Sequence, residues 1–166
     1  MKYFINTISA LSFMALLIFA SCGGDGGGDG PQSPGGAQAD LLNGSWQIAS
    51  VTFDNTPRND TWGTDFTVSF SGASAGTDDI WGGNFNATGY SSDEPDAQTV
   101  WPSNGTWDFA GAGSSEVNTF TRNDGVTVSI VQVTESSLIV RFTIPDPSGR
   151  TDGVFDSEWN MEFTAN

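Results

Sequence analysis

Histidine is absent from this chain of 166 residues, cysteine occurs once, at Cys22, and lysine once, at Lys2. Those scarcities remove most nucleophilic and general-base chemistry. No Ser-His-Asp triad, lysine Schiff base or cysteine-histidine pair can be assembled beyond Cys22, and zinc loses its usual nitrogen and sulfur ligands. The enzymatic device left is a pair of carboxylates of the glycosidase kind. Among 20 acidic residues some such pair arises by chance, so it carries no weight. The composition reads as a protein without catalytic residues, cofactor or metal. A single cysteine also excludes an internal disulfide framework, the usual support of small secreted domains.

Positive charge is nearly as scarce: Lys2, Arg58, Arg122, Arg141 and Arg150 face 20 acids, for a net charge of −15. Such a surface repels nucleic acid and anionic headgroups, so no phosphate-backbone partner is expected. Long apolar runs are missing too. The longest, Ile8 to Ala20, has thirteen residues and spans only ~20 Å as a helix against a ~30 Å hydrocarbon core. Behind Met1-Lys2 it has the make-up of a secretory signal instead of a transmembrane span.

The end of that run carries the most specific motif in the chain. Ile18-Phe19-Ala20-Ser21-Cys22-Gly23-Gly24-Asp25 resembles the lipobox of bacterial lipoproteins. The resemblance implies cleavage between Ser21 and Cys22, a diacylglyceryl group on the sulfur and an amide-linked acyl chain of the palmitate type. Two or more chains, at about 0.8 kcal/mol per buried CH₂, hold a protein on a membrane where one chain does not. Residues 1–21 are thus read as a lipoprotein signal peptide. Residues 22–39, rich in glycine, aspartate and proline, are read as the lipidated cysteine and a disordered tether. The sixteen residues from Gly23 to Gln38 reach roughly 20–24 Å as a coil and ~55 Å when stretched. Asp25 and Asp29 read as solvated linker charges; acids close behind the lipidated cysteine also resemble surface-export signals of Bacteroidetes-type lipoproteins. The expected location is the cell envelope, as an outer-membrane lipoprotein that is periplasmic or surface-exposed.

Residues 40–166 have single-domain length and show period-2 alternation between Gly, Asn, Asp, Ser and Pro clusters, with no helical run. Trp46 to Phe53 form a first strand in which apolar parity switches between Ile48 and Val51, predicting a bulge. Phe66, Val68 and Phe70 mark a second strand, Phe85 and Ala87 a third, Trp107 and Phe109 a fourth. Val117 to Arg122 leads into Asn123-Asp124-Gly125, a hairpin turn signal. Val126, Val128 and Ile130 then face one side, with Val131 and Val133 on the other. Leu138 to Ile144 and Trp159 to Ala165 complete the set. Eight antiparallel strands with short connections suit a closed up-and-down β-barrel, which leaves no open edge. A β-sandwich of the same strands is the alternative.

Leu41-Leu42-Asn43-Gly44-Ser45-Trp46-Gln47-Ile48, Asn104-Gly105-Thr106-Trp107-Asp108-Phe109 and Val133-Thr134-Glu135-Ser136-Ser137-Leu138 resemble the recurring strands of bacterial lipocalin-like domains. Gly44-x-Trp46 is also similar to the first motif of true lipocalins, whose tryptophan closes the barrel floor against an arginine near the last strand. Here the last strand carries Glu158 and Glu162 instead.

Asp78-Asp79, Asp93-Glu94-Asp96 and Asp146, Asp152 and Asp156 fall in loops; none has EF-hand spacing, and they read as solvated charge. Trp46, Trp107 and Trp159 fall on strands and read as core. Trp62, Trp81 and Trp101 fall in loops or at strand ends, where such rings either line a ligand site at the barrel mouth or fold back as lids. Three functions are expected on these grounds: a barrel that takes a small apolar or amphipathic ligand near Trp62, Trp81 and Trp101; a surface glycan-binding module using the same rings; or a structural, protein-interaction lipoprotein. The expected partners are the membrane, through Cys22, and a small hydrophobic ligand or a glycan.

Overall fold

The computed structural model describes residues 34–72, 82–109, 118–145 and 155–166. The signal segment, Cys22, Trp81, the Asp78-Asp79 pair, Asp146 and Asp152 lie outside these residues. Nine strands, β1 (Gly44–Phe53), β2 (Thr56–Pro57), β3 (Thr67–Ser71), β4 (Gly82–Thr88), β5 (Asn104–Phe109), β6 (Thr119–Arg122), β7 (Thr127–Val133), β8 (Ser137–Thr143) and β9 (Glu158–Ala165), form one antiparallel sheet in the order β2-β1-β3-β4-β5-β6-β7-β8-β9. β1 also pairs with β9, from Trp46 opposite Ala165 to Phe53 opposite Trp159. That pairing closes eight strands into an up-and-down barrel, with β2 as a short addition, and rules out the sandwich. Closure depends on length: the ten residues of β1 let Gly44–Gln47 pair with β3 and Trp46–Phe53 pair with β9.

Alternation in the sequence becomes inside and outside. Val68 and Phe70, Phe85 and Ala87, Trp107 and Phe109, Val128 and Ile130, Leu138, Val140 and Phe142, and Trp159, Met161 and Phe163 are all buried, and their sequence neighbours face out. The register of β1 against β9 shifts between Ile48 and Ser50, where the parity switch predicted a bulge. A second register shift falls between Ile130 and Gln132 in β7. The extra residue reverses the alternation beyond Ile130, so Gln132 is exposed and Val133 packs partly against the core, while Val131, at an outward position, is the one exposed large apolar side chain among the described residues, at 51%. Asp54 and Asn55, at φ 48° and 60°, make the two-residue β1–β2 turn that a right-twisted hairpin favours.

Three short helices were not legible in the apolar periodicity: α1 (Pro34–Leu42), α2 (Asn59–Trp62) and α3 (Ala97–Val100). The first covers residues 34–39 of the segment read as tether, together with Asp40, Leu41 and Leu42. Pro34 takes the first helical position, where a missing N–H costs nothing, and the helix buries Ala39 and Leu42 against one end of the barrel. Two glycines make it a poor helix by propensity, so docking sustains it. The Trp46 indole N–H donates to the Leu42 carbonyl at 2.9 Å and so caps the helix C-terminus. The tryptophan of the Gly44-x-Trp46 motif therefore closes its end of the barrel against a helix.

Candidate functional site

The opposite end of the barrel gathers α2, α3, the β6–β7 turn and the Tyr90 loop. Trp62 is the last residue of α2, and Trp101 directly follows α3. The structure brings both to this end, as expected of mouth residues, but as plugs that point inward, 1% and 0% exposed. Trp62 meets Phe66 edge-on at 4.9 Å and Trp159 at 5.9 Å. Trp101 contacts Phe142 at 5.6 Å, Phe85 at 6.1 Å, and Phe70 and Phe163 at 6.3 Å. Through Phe70 the chain of rings continues to Trp107 and Phe109. The rings occupy the barrel interior from its mouth to its far wall.

The indole N–H groups of Trp62, Trp101 and Trp107 are buried and have no hydrogen-bond partner among the described residues. Stranding each donor costs about 1–3 kcal/mol. Taking an indole ring out of water returns roughly 4–6 kcal/mol at ~25 cal/mol per Å². Burial wins, so crossover segments too short to fold alone place their rings inside.

Beneath Trp101 lies Arg122, 1% exposed and inward-facing at the end of β6. Its Nε and Nη2 donate to the two carboxylate oxygens of Asp124 at 3.1 and 2.6 Å, and its Nη1 donates to the Val100 carbonyl at 3.0 Å. The guanidinium also stands 5.0 Å from the Trp101 ring and 5.4 Å from the Phe142 ring. Hence the buried cation ties the β6–β7 turn to α3. Sequence reasoning missed this residue. Its signal was the inward parity it shares with Phe120, two positions before, and the aspartate two positions after it.

Glu94 joins the two crossovers. It is 5% exposed, accepts the Thr61 hydroxyl at 2.7 Å and lies 3.6 Å from Arg58. In the Asp93-Glu94-Asp96 cluster, then, one acid faces inward toward an α2 partner. No three acidic or other ligating side chains come together to hold a metal ion among the described residues. Tyr90 packs on Phe66 at 5.2 Å and donates to the Trp101 carbonyl at 2.8 Å. Burial pushes its hydroxyl up to about 12, while the nearby Arg122 charge acts in the opposite sense. Beside it a cleft of about 260 Å³ opens between Trp62–Asp65 and Gly89–Ser92.

No protein-family model matches this chain, and no curated protein matches it in sequence. The class of protein is defined here by the fold alone: a closed, lipocalin-like all-β barrel. No helix among the described residues is long and apolar enough to cross a membrane.

Proposed function

We propose that this protein is a membrane-anchored, lipocalin-like lipoprotein of the cell envelope that acts through the outer surface of its barrel. Acylation of Cys22 supplies the anchor, because no other chemistry remains for the only cysteine. The glycine-rich segment behind it spaces the acidic barrel from anionic headgroups, whose repulsion fades over a Debye length of ~8 Å. The observation that carries the surface reading is the placement of Trp62 and Trp101, both under 2% exposed inside the barrel. A carrier would keep that space for its ligand.

A second reading, uptake of a small amphipathic molecule at the mouth, draws on the three unpartnered indole N–H groups and the cleft beside Tyr90. It requires α2 and α3 to swing outward. Native mass spectrometry of the full chain from its host separates the two. The surface reading expects the polypeptide and its acyl groups alone, and a further co-purifying apolar mass overturns it. Cys22→Ala is expected to move the protein from the membrane fraction to the soluble one; retention on the membrane refutes the anchor.

A further inference from the structure

The chain carries 20 acidic residues, yet Asp108 is the one charged residue in β3, β4 and β5. Strand register sorts the outward side chains of these strands into two parallel rows. Ser69, Asn86 and Asn104 are cross-strand partners in one row, and Ser71, Asn84 and Thr106 in the other. The rows stand two residues apart along the strands, about 6.6–6.8 Å. Between them runs the backbone of Phe85 and Gly105, so the rows are the walls of a trough, of about 400 Å³, across three strands. Asn84, Asn86, Asn104 and Thr106 are exposed. The side-chain amides of Asn84 and Asn86 have no hydrogen-bond partner among the described residues.

We infer that this trough is a binding site for an uncharged oligosaccharide. Three kinds of observation converge. Amide and hydroxyl groups each offer both donors and acceptors, as sugar hydroxyls do, and the three asparagines present them on fixed strands rather than loops. The walls are free of carboxylates, whose charge would impose a preference for cations and repel acidic sugars. The register also holds the two rows parallel across the strands, so successive ring edges of an extended chain meet equivalent groups. The inference rests on the reading that the barrel acts through its outer surface. It moves the expected glycan contact from the loop tryptophans to the wall of β3–β5.

The test is solution NMR of the full chain in detergent micelles, titrated with cellohexaose, xylohexaose and mannohexaose, and with hexagalacturonate as the acidic control. At least one neutral oligosaccharide is expected to bind with a Kd on the order of 1 mM. The perturbed signals are expected at the side-chain amides of Asn84, Asn86 and Asn104, and hexagalacturonate is expected to leave them unmoved. Asn86→Ala and Asn84→Ala, both exposed and outside the core, are expected to weaken binding about fivefold each, with the rest of the spectrum unchanged. Silence toward all three neutral sugars, perturbations centred on Trp62 and Tyr90, or unchanged affinity in both variants overturns the trough. A co-purifying apolar mass, by contrast, overturns the surface reading itself. Silence toward the sugars without such a mass defeats only the trough.

Discussion

Tyr90 permits an unusually clean test of the mouth. Histidine is absent, Lys2 and Cys22 precede the barrel, and Tyr3 is the only other tyrosine. Between pH 6 and 9.5 no barrel side chain has an ordinary pKa to titrate, so stability is expected to be flat there. Above pH 10 the Tyr90 hydroxyl of the unfolded chain ionises, while in the folded protein burial holds it protonated to about 12. The folded state keeps a proton that the unfolded chain has lost, so stability falls as pH rises from 10 to about 12 and levels off once the folded state ionises too. The sign of that step is set by linkage: a neutral phenol held above its unfolded pKa makes the native state resist the alkaline ionisation that favours the unfolded chain. Two pKa units correspond to about 2.7 kcal/mol, which solvent access to a half-buried ring reduces to about 1–2 kcal/mol. Tyr90→Phe removes both this alkaline loss and the hydrogen bond to the Trp101 carbonyl, the latter worth ~0.5–1.5 kcal/mol. The variant is therefore expected to be less stable than the parent at pH 8 and to gain on it above pH 10. Urea unfolding at fixed pH steps, with phenolate absorbance as the titration signal, measures both. An ordinary Tyr90 midpoint near 10, or parallel stability curves for the two proteins up to pH 12, refutes the buried, hydrogen-bonded position.

Arg122→Ala strands the Val100 carbonyl and opens a cavity under Trp101, for an expected loss of about 3–5 kcal/mol in urea unfolding. Arg122→Met should regain a substantial part of that loss, since Asp124 is accessible enough to be solvated alone; equal losses refute the packing role. Trp46→Phe keeps a ring in the core but removes the cap on α1. It is expected to cost about 1–2 kcal/mol and to speed amide exchange in residues 37–42 far more than in β5–β8. Uniform exchange changes refute the cap.

The strand set was legible because a half-buried strand writes its burial into every second residue. That is why Trp159, Met161 and Phe163 could be placed inward, and why the parity switch after Ile48 marked a bulge. The helices were not legible for the opposite reason. α2 and α3 have four residues each, less than the span over which helical periodicity accumulates, and α1 exists by docking against Trp46. The loop tryptophans posed a further difficulty. A ring flanked by polar residues has the same local sequence whether it faces solvent or turns into a barrel.

The all-β alternation, the want of histidine, lysine and cysteine chemistry beyond Cys22, and the acidity of the chain are properties of residues and their immediate neighbours, and the sequence alone is enough to state them. The rest was decided in three dimensions. Pairing of β1 with β9, more than a hundred residues apart in the chain, turned alternating strands into a closed barrel. Closure gave the strands a common interior, and its apolar volume drew in Trp62, Trp101 and the paired Arg122. The same register gathered Asn84, Asn86 and Asn104 on the two uncharged rows of one trough. Contacts between distant segments depend on the free energy of the whole closed sheet, which no local pattern of residues records.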